Sequence, residues 1–231
     1  WIEESVPGGT ASRLGQLLDV AYEIEYGAAC SDQSALNLLY LIGYSGQGQL
    51  RIFGPSNEKY HVRGGNDLIV AGLAGRLAGQ IETGTRLVSI SRNPDGRYTL
   101  GLDRGSGARS SVFDKVILAL PFSILRSSVD TRRAGFSAVK DTAIREQGMG
   151  ANTKLQLQFR TRHWRTLGNN GDSYADTGYQ ATWEVTRGQA GTAGILVDYT
   201  GGDYARTFER GKLETQARTF LSQIEPVLPG L

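Results

Sequence analysis

Between Gly150 and Trp164, apolar side chains fall at Leu155, Leu157 and Phe159, while Asn152, Lys154, Gln156, Gln158 and Arg160 fall between them. A period of two predicts a half-buried strand, with one packed face and one polar face that carries Lys154. Toward the N-terminus the period is helical. Leu14, Leu17, Leu18, Ala21 and Ile24 share one helical face behind a Thr10 cap, and Ala35, Leu38, Leu39 and Ile42 share another behind Ser31 and Asp32. The glycines of GYSGQGQ at 43–49 end the second helix, so the two suggest a helical hairpin followed by a connector. Residues 54–57, Gly-Pro-Ser-Asn, carry loop chemistry.

A new unit is expected from Tyr60. There a short strand, YHV, leads into Arg63-Gly64-Gly65 and then a helix capped by Asn66, with Leu68, Ile69, Leu73 and Leu77 on its buried side and Gly79 at its end. Residues 87–92 and 98–102 flank Asn93-Pro94-Asp95-Gly96, a strong hairpin signal in which Pro94 presets one turn position and Gly96 supplies a positive φ. After a second turn at 105–107, the run Val116-Ile117-Leu118-Ala119-Leu120 is continuously apolar, as in a strand covered on both faces, and Pro121 stops it. Phe136, Val139, Ala143 and Ile144 mark a short helix. Strands are expected over 180–186 and 193–199, and a last amphipathic helix carries Leu213, Ala217, Phe220, Leu221 and Ile224 up to Pro226. The fold class is α+β, a mixed sheet with helices.

Composition narrows the function classes. A chain of 231 residues is long enough for a substantial core, and its net charge of +2, with acids and bases interspersed, indicates neither a nucleic-acid footprint nor a polybasic membrane patch. Cys30 is the only cysteine, and two histidines far apart make no zinc spacing, so neither a disulfide nor a metal site is expected. No apolar run reaches the length of a membrane span, and the start lacks the pattern of a signal peptide, so a cytoplasmic location is expected. The chain opens on Trp1, holds one methionine at Met149 and stops at Leu231 just past a helix-like segment; it reads as an excised or processed piece.

Local chemistry is sparse. No GxGxxG, P-loop or GxSxG occurs, and GYSGQGQ follows a helix where a phosphate loop would open one. His61 and His163 have no assignable partner, and Trp164, Tyr179 and Trp183 are candidates either for an aromatic pocket or for core filling. A double glycine is by itself a turn signal, in a chain where 31 residues are glycine. By periodicity alone Lys154 is a solvated-face lysine.

Taken in order, YHVRGGNDLIVAGLAGRL, TRLVSISRNPDGRYTLGL, FDKVILALPFSIL and GANTKLQLQFRTRHW resemble the central portion of flavin-containing amine oxidases, most strongly the monoamine oxidases and L-amino-acid oxidases. The resemblance covers about 60–164, and the flanks fit by pattern. It implies a substrate domain, residues 1–59 and 123–231, interleaved with part of an FAD-binding domain at 60–122. It places Gly64 and Gly65, with Arg63, beside flavin and substrate, and it gives Val88 a backbone contact to the adenine end of FAD. Lys154 falls on the family lysine that meets flavin N5 through a water, where a cation stabilises developing negative charge. Trp183 falls on a strand that walls the amine pocket.

The resemblance further implies hydride transfer from an amine or L-amino acid to FAD, with oxygen as the final acceptor and peroxide as a product. The N-terminal glycine fingerprint, the C-terminal segment that completes the flavin site and a GPMR-like carboxylate-binding segment are not found within these residues. The piece alone is therefore expected to bind FAD poorly and to be inactive. Two other readings remain open: another flavoprotein of the superfamily, such as a carotenoid desaturase or protoporphyrinogen oxidase, and a non-catalytic binding module.

Overall fold

The computed structural model describes residues 1–231 except 44, 45, 47, 49, 56–58 and 209. Parts of the expected connector at 43–49 and of the loop at 54–57 therefore lie outside the described residues. In chain order the elements are α1 (Ile2–Ser5), α2 (Arg13–Tyr26), α3 (Ala35–Ile42), α4 (Asp67–Arg76), β1 (Arg86–Arg92), β2 (Tyr98–Asp103), β3 (Ala108–Phe113) and α5 (Phe122–Ser128). There follow β4 (Asp130–Arg133), α6 (Ala138–Glu146), β5 (Asn152–Phe159), β6 (Ser173–Tyr174), β7 (Ala181–Glu184), β8 (Gly194–Gly201), α7 (Gly202–Arg206) and α8 (Leu213–Ile224). Among the described residues the strands form two four-stranded sheets, and the α+β expectation holds. Among the described residues no helix is long and apolar enough to cross a membrane.

The chain divides into two compact units, one built from Trp1–Ser56 with Gly150–Leu231 and the other from Asn57–Met149. In the first, the sheet order is β5-β8-β7-β6, antiparallel throughout. Leu155 and Leu196 on its inner face pack with Trp164, Tyr179 and, from α8, Phe220 and Ile224. A second cluster of Ile2, Val6, Leu18, Tyr22 and Leu38 joins the first three helices. The caps differ from those expected. Ser12 Oγ accepts from Gly15 N at 3.0 Å and starts α2, while Thr10 is occupied with the Glu3 carboxylate; Ser34 rather than Ser31 or Asp32 caps α3.

In the second unit the sheet order is β3-β2-β1-β4, and β4 runs parallel to β1. The hairpin at 93–96 forms as its turn residues require, with Gly96 at φ +86°. This unit continues past the expected boundary at 122 to Met149, because Leu125, Val129, Ala134 and Ile144 from α5 through α6 bury themselves against Ile90 of β1.

Two expected strands have no ladder among the described residues. Residues 60–62 form no regular element and Tyr60 is exposed, and 116–120 form none either, with Val116, Leu118 and Leu120 packed inward while Ile117 is 94% exposed. A strand is defined by its neighbour, and here the apolar pattern is present without one. The helix after the double glycine forms as α4, but its expected buried side is bare. Leu68, Ile69, Val70, Leu73 and Leu77 are between 45% and 69% exposed.

Candidate active site

Strand alternation sets the site. In β5, Leu155 is buried while Lys154 and Gln156 point to the opposite, open face. Lys154 lies opposite Tyr199 of β8, Tyr199 lies opposite Ala181 of β7, and Gln156, Val197 and Trp183 form the next rung. Residues in register across a sheet share a face, so Lys154, Tyr199 and Trp183 converge on one side. The Lys154 ammonium nitrogen stands 4.8 Å from the Tyr199 ring centre and 5.2 Å from that of Trp183. The two rings meet edge to face, 5.1 Å apart and 85° from parallel. No carboxylate pairs with Lys154 among the described residues.

Charge around this face is mixed. Burial pushes the Tyr199 hydroxyl above its ordinary range and the Glu25 carboxylate adds to the shift; Tyr174, on the neighbouring strand β6, is pushed up to about 12 by burial, then by Asp172 and Glu25. The face thus presents a cation on two aromatic rings, with an acidic group near its tyrosines. That arrangement suits an anionic or electron-rich partner at the lysine and a flat apolar group against the rings.

Of the three aromatics noted in the sequence, only Trp183 belongs here. Trp164 and Tyr179 are fully buried on the opposite face of the sheet, where the Trp164 indole N–H donates to Glu184 and the Tyr179 hydroxyl bonds to Ser173. His163 lies at the Pro229 carbonyl, 3.1 Å away, as a structural contact. Tyr199 was not recognisable as a site residue from sequence. Alternation of Ile195, Val197 and Tyr199 gives it a face, but only the pairing register gives it Lys154 as a neighbour.

The other candidates lie in the second unit. Gly64 and Gly65 have φ of +93° and +119°, and the Gly65 N–H donates to the Val62 carbonyl in a turn that L-residues adopt only with strain. Arg63 begins that turn, and Asn66 accepts from Val62 N at 2.9 Å, so its side chain closes the loop and does not cap α4. Val88 sits at a β-bulge. Leu87 pairs with Leu102 and Ser89 with Gly101, which leaves Val88 without a cross-strand partner on β2. A bare turn and an unpaired strand residue are places where a ligand can approach backbone.

The structure superposes on a double mutant of putrescine oxidase with a TM-score of 0.74 at 16% identity, covering 99% of this chain and 50% of that one. It superposes on cyclohexylamine oxidase from Brevibacterium oxydans IH-35A with a TM-score of 0.72 at 14% identity, with the same two coverages. In sequence it is 30% identical over 151 residues to YobN of Bacillus subtilis (strain 168), which carries the name of an L-amino-acid oxidase; the aligned part is 63% of this chain and 31% of YobN. It is also 30% identical over 151 residues to the flavin-dependent L-tryptophan oxidase RebO of Lentzea aerocolonigenes, with 62% of this chain and 30% of RebO aligned. Residues 10–229 match the flavin containing amine oxidoreductase family, and the chain belongs to that family. It spans about a third of the length of these curated relatives.

Proposed function

We propose that these residues are part of an FAD-dependent oxidase that converts an L-amino acid, or a primary amine, to the corresponding imine and reduces oxygen to hydrogen peroxide. The observation that carries this is the Lys154 ammonium, held on the open face of the β5-β8-β7 sheet over Trp183 and Tyr199 in a chain of the flavin amine oxidase family. The two curated relatives act on amino acids by name, at higher identity than the amine oxidases matched by structure, and this favours an amino-acid substrate.

Each unit taken by itself offers groups that suit a flavin: in the second, Gly64 and Gly65, which follow Arg63, give a turn without β-carbons and Val88 a bulged backbone for the adenine end, and in the first, Lys154 gives a cation. When bound, the flavin supplies the two-electron acceptance that amine oxidation needs and returns those electrons to oxygen. Lys154 holds positive charge, directly or through a water, where negative charge develops. Trp183, with Tyr199, walls the substrate space and excludes water from it.

In this function the unit of Trp1–Ser56 with Gly150–Leu231 serves the substrate and the unit of Asn57–Met149 the FAD. The exposed apolar side of α4 and the unpaired run at 116–120 are covered in the intact polypeptide by segments outside these residues. The 231 residues alone bind FAD poorly and turn over nothing.

The test is an anaerobic visible spectrum of the intact polypeptide before and after adding mixed L-amino acids, then a primary amine. Bleaching of a flavin band by the first addition supports an amino-acid oxidase, and bleaching only by the second an amine oxidase. A polypeptide that carries no flavin would overturn the proposal.

A further inference from the structure

Lys154 has a long, flexible stem and no acidic partner among the described residues, yet its ammonium lies in the corner between two perpendicular rings. A cation is drawn to the negative face of an aromatic ring, and two faces meeting near a right angle define a point rather than a sweep of positions. Each ring is itself held. Tyr199 stands in register between Lys154 and Ala181, and Trp183 in register with buried Val197, so the corner is built from three hydrogen-bonded strands.

We infer that Tyr199 and Trp183 are positioning residues for Lys154: their ring faces hold its ammonium at one place on the open face of the sheet. The inference rests on Lys154 being the functional lysine of the proposed oxidase, and it assigns Trp183 a task beyond contact with substrate. The Tyr199 ring face, not its hydroxyl, does this work, because the ammonium stands over the ring. Phenylalanine at 199 is therefore expected to serve as well as tyrosine, whereas leucine, apolar but without a π face, is not.

The test uses the intact polypeptide with lysine labelled at Cε. Protons above an aromatic ring are shifted upfield, so the Lys154 Hε signal, assigned by its loss in Lys154→Met, should stand apart from those of other lysines. Tyr199→Phe should keep the displaced signal; Tyr199→Leu and Trp183→Leu should each move it toward the common position. A Lys154 signal already at the common position in the unmutated protein, or one unmoved by Tyr199→Leu, would overturn the inference. The same variants are then followed through flavin reduction and reoxidation. Tyr199→Leu should slow the Lys154-dependent half-reaction about tenfold, Tyr199→Phe less than twofold, and Tyr199→Leu should add nothing in a Lys154→Met background. Equal slowing with and without Lys154 would mean that Tyr199 acts on substrate directly and would overturn positioning. Unchanged rates in Lys154→Met itself would sink the oxidase role of Lys154 instead, and the Hε shifts would still decide whether the rings hold it.

Discussion

The indole N–H of Trp164 donates to Glu184 at 3.0 Å with both side chains buried, and Arg165 and Thr186 complete the ring of donors around that carboxylate. Arg162 closes the other side, its Nε 2.7 Å from Glu184 Oε1. This network anchors β7 to the segment after β5 and so supports, from beneath, the sheet that carries Lys154. Removing the charge while keeping the shape should be costly, because the buried Arg162 side chain loses its counter-ion inside the protein, whereas Arg165 is half exposed. Glu184→Gln is expected to destabilise by about 3 kcal/mol near neutral pH. Equilibrium unfolding in urea measures it, and a loss below about 1 kcal/mol would show that the network is dispensable.

The pH dependence of that loss has a definite sign. Burial alone would push the Glu184 carboxyl up, but hydrogen bonds from Trp164, Thr186 and Arg165, with the Arg165 charge, outweigh it and hold the group below its ordinary value of 4.5. A lowered native pKa means that the stabilisation is present above 4.5 and is lost as pH falls through the native value. The gap between Glu184→Gln and the unmutated protein should therefore close in acid. A gap independent of pH would point to packing rather than charge.

Asp198 behaves in the opposite sense. It faces Thr182 across β7 and β8, its Oδ1 is enclosed without a protein partner among the described residues, and burial raises its carboxyl from 3.8 to about 7. Below 3.8 the group is protonated in folded and unfolded chains alike. Between 3.8 and about 7 only the folded form keeps the proton, so stability falls as pH rises through that window. Asp198→Asn should match the parent near pH 4 and exceed it above pH 7 by on the order of 2–4 kcal/mol. Parallel stability curves from pH 4 to 8 would refute this.

The sequence made the alternation of β5, the 93–96 hairpin and the final helix readable, because each depends on a local period or turn residue. It did not reveal α5 or β4. Pro121 reads as the end of a strand, yet it also stands at the N-cap of a helix, where its missing N–H costs nothing. Asp130–Arg133 has no apolar pattern at all and becomes a strand through its backbone pairing with β1. The same limit applied to the site. Lys154 and Trp183 were visible one at a time, whereas their closeness, and Tyr199 between them in register, depends on pairings that local sequence does not encode.

Gly27 joins the two sequence segments of the first unit. It ends α2 at φ +69°, its carbonyl accepts from Ala151 N at 2.8 Å, and an added Cβ would lie 2.6 Å from that same nitrogen. Gly27→Ala combines a left-handed backbone with a collision at the entry to β5, so a loss of at least about 2 kcal/mol is expected. Because β5 carries Lys154, the Lys154 Hε signal should also move. A variant as stable as the parent would mean that the chain entry relaxes freely.

The exposed side of α4 is the last case. Four apolar residues on one short helix and Leu77 at its C-cap, with Ile117 exposed on the run at 116–120, amount to more apolar surface than isolated residues on a monomer present. Replacing Val70 and Ile117 by lysine removes no buried contact in the 231 residues. In that chain the double variant should keep its thermal midpoint and bind less of an apolar-surface dye. In the intact polypeptide the same change should be harmful if flanking segments cover these positions, because two lysines would then be buried without partners, at a cost of several kcal/mol. The decisive comparison is the shift in thermal midpoint between chain and intact polypeptide. If the intact form tolerates both lysines as well as the shorter chain does, α4 and Ile117 face solvent in the whole protein too.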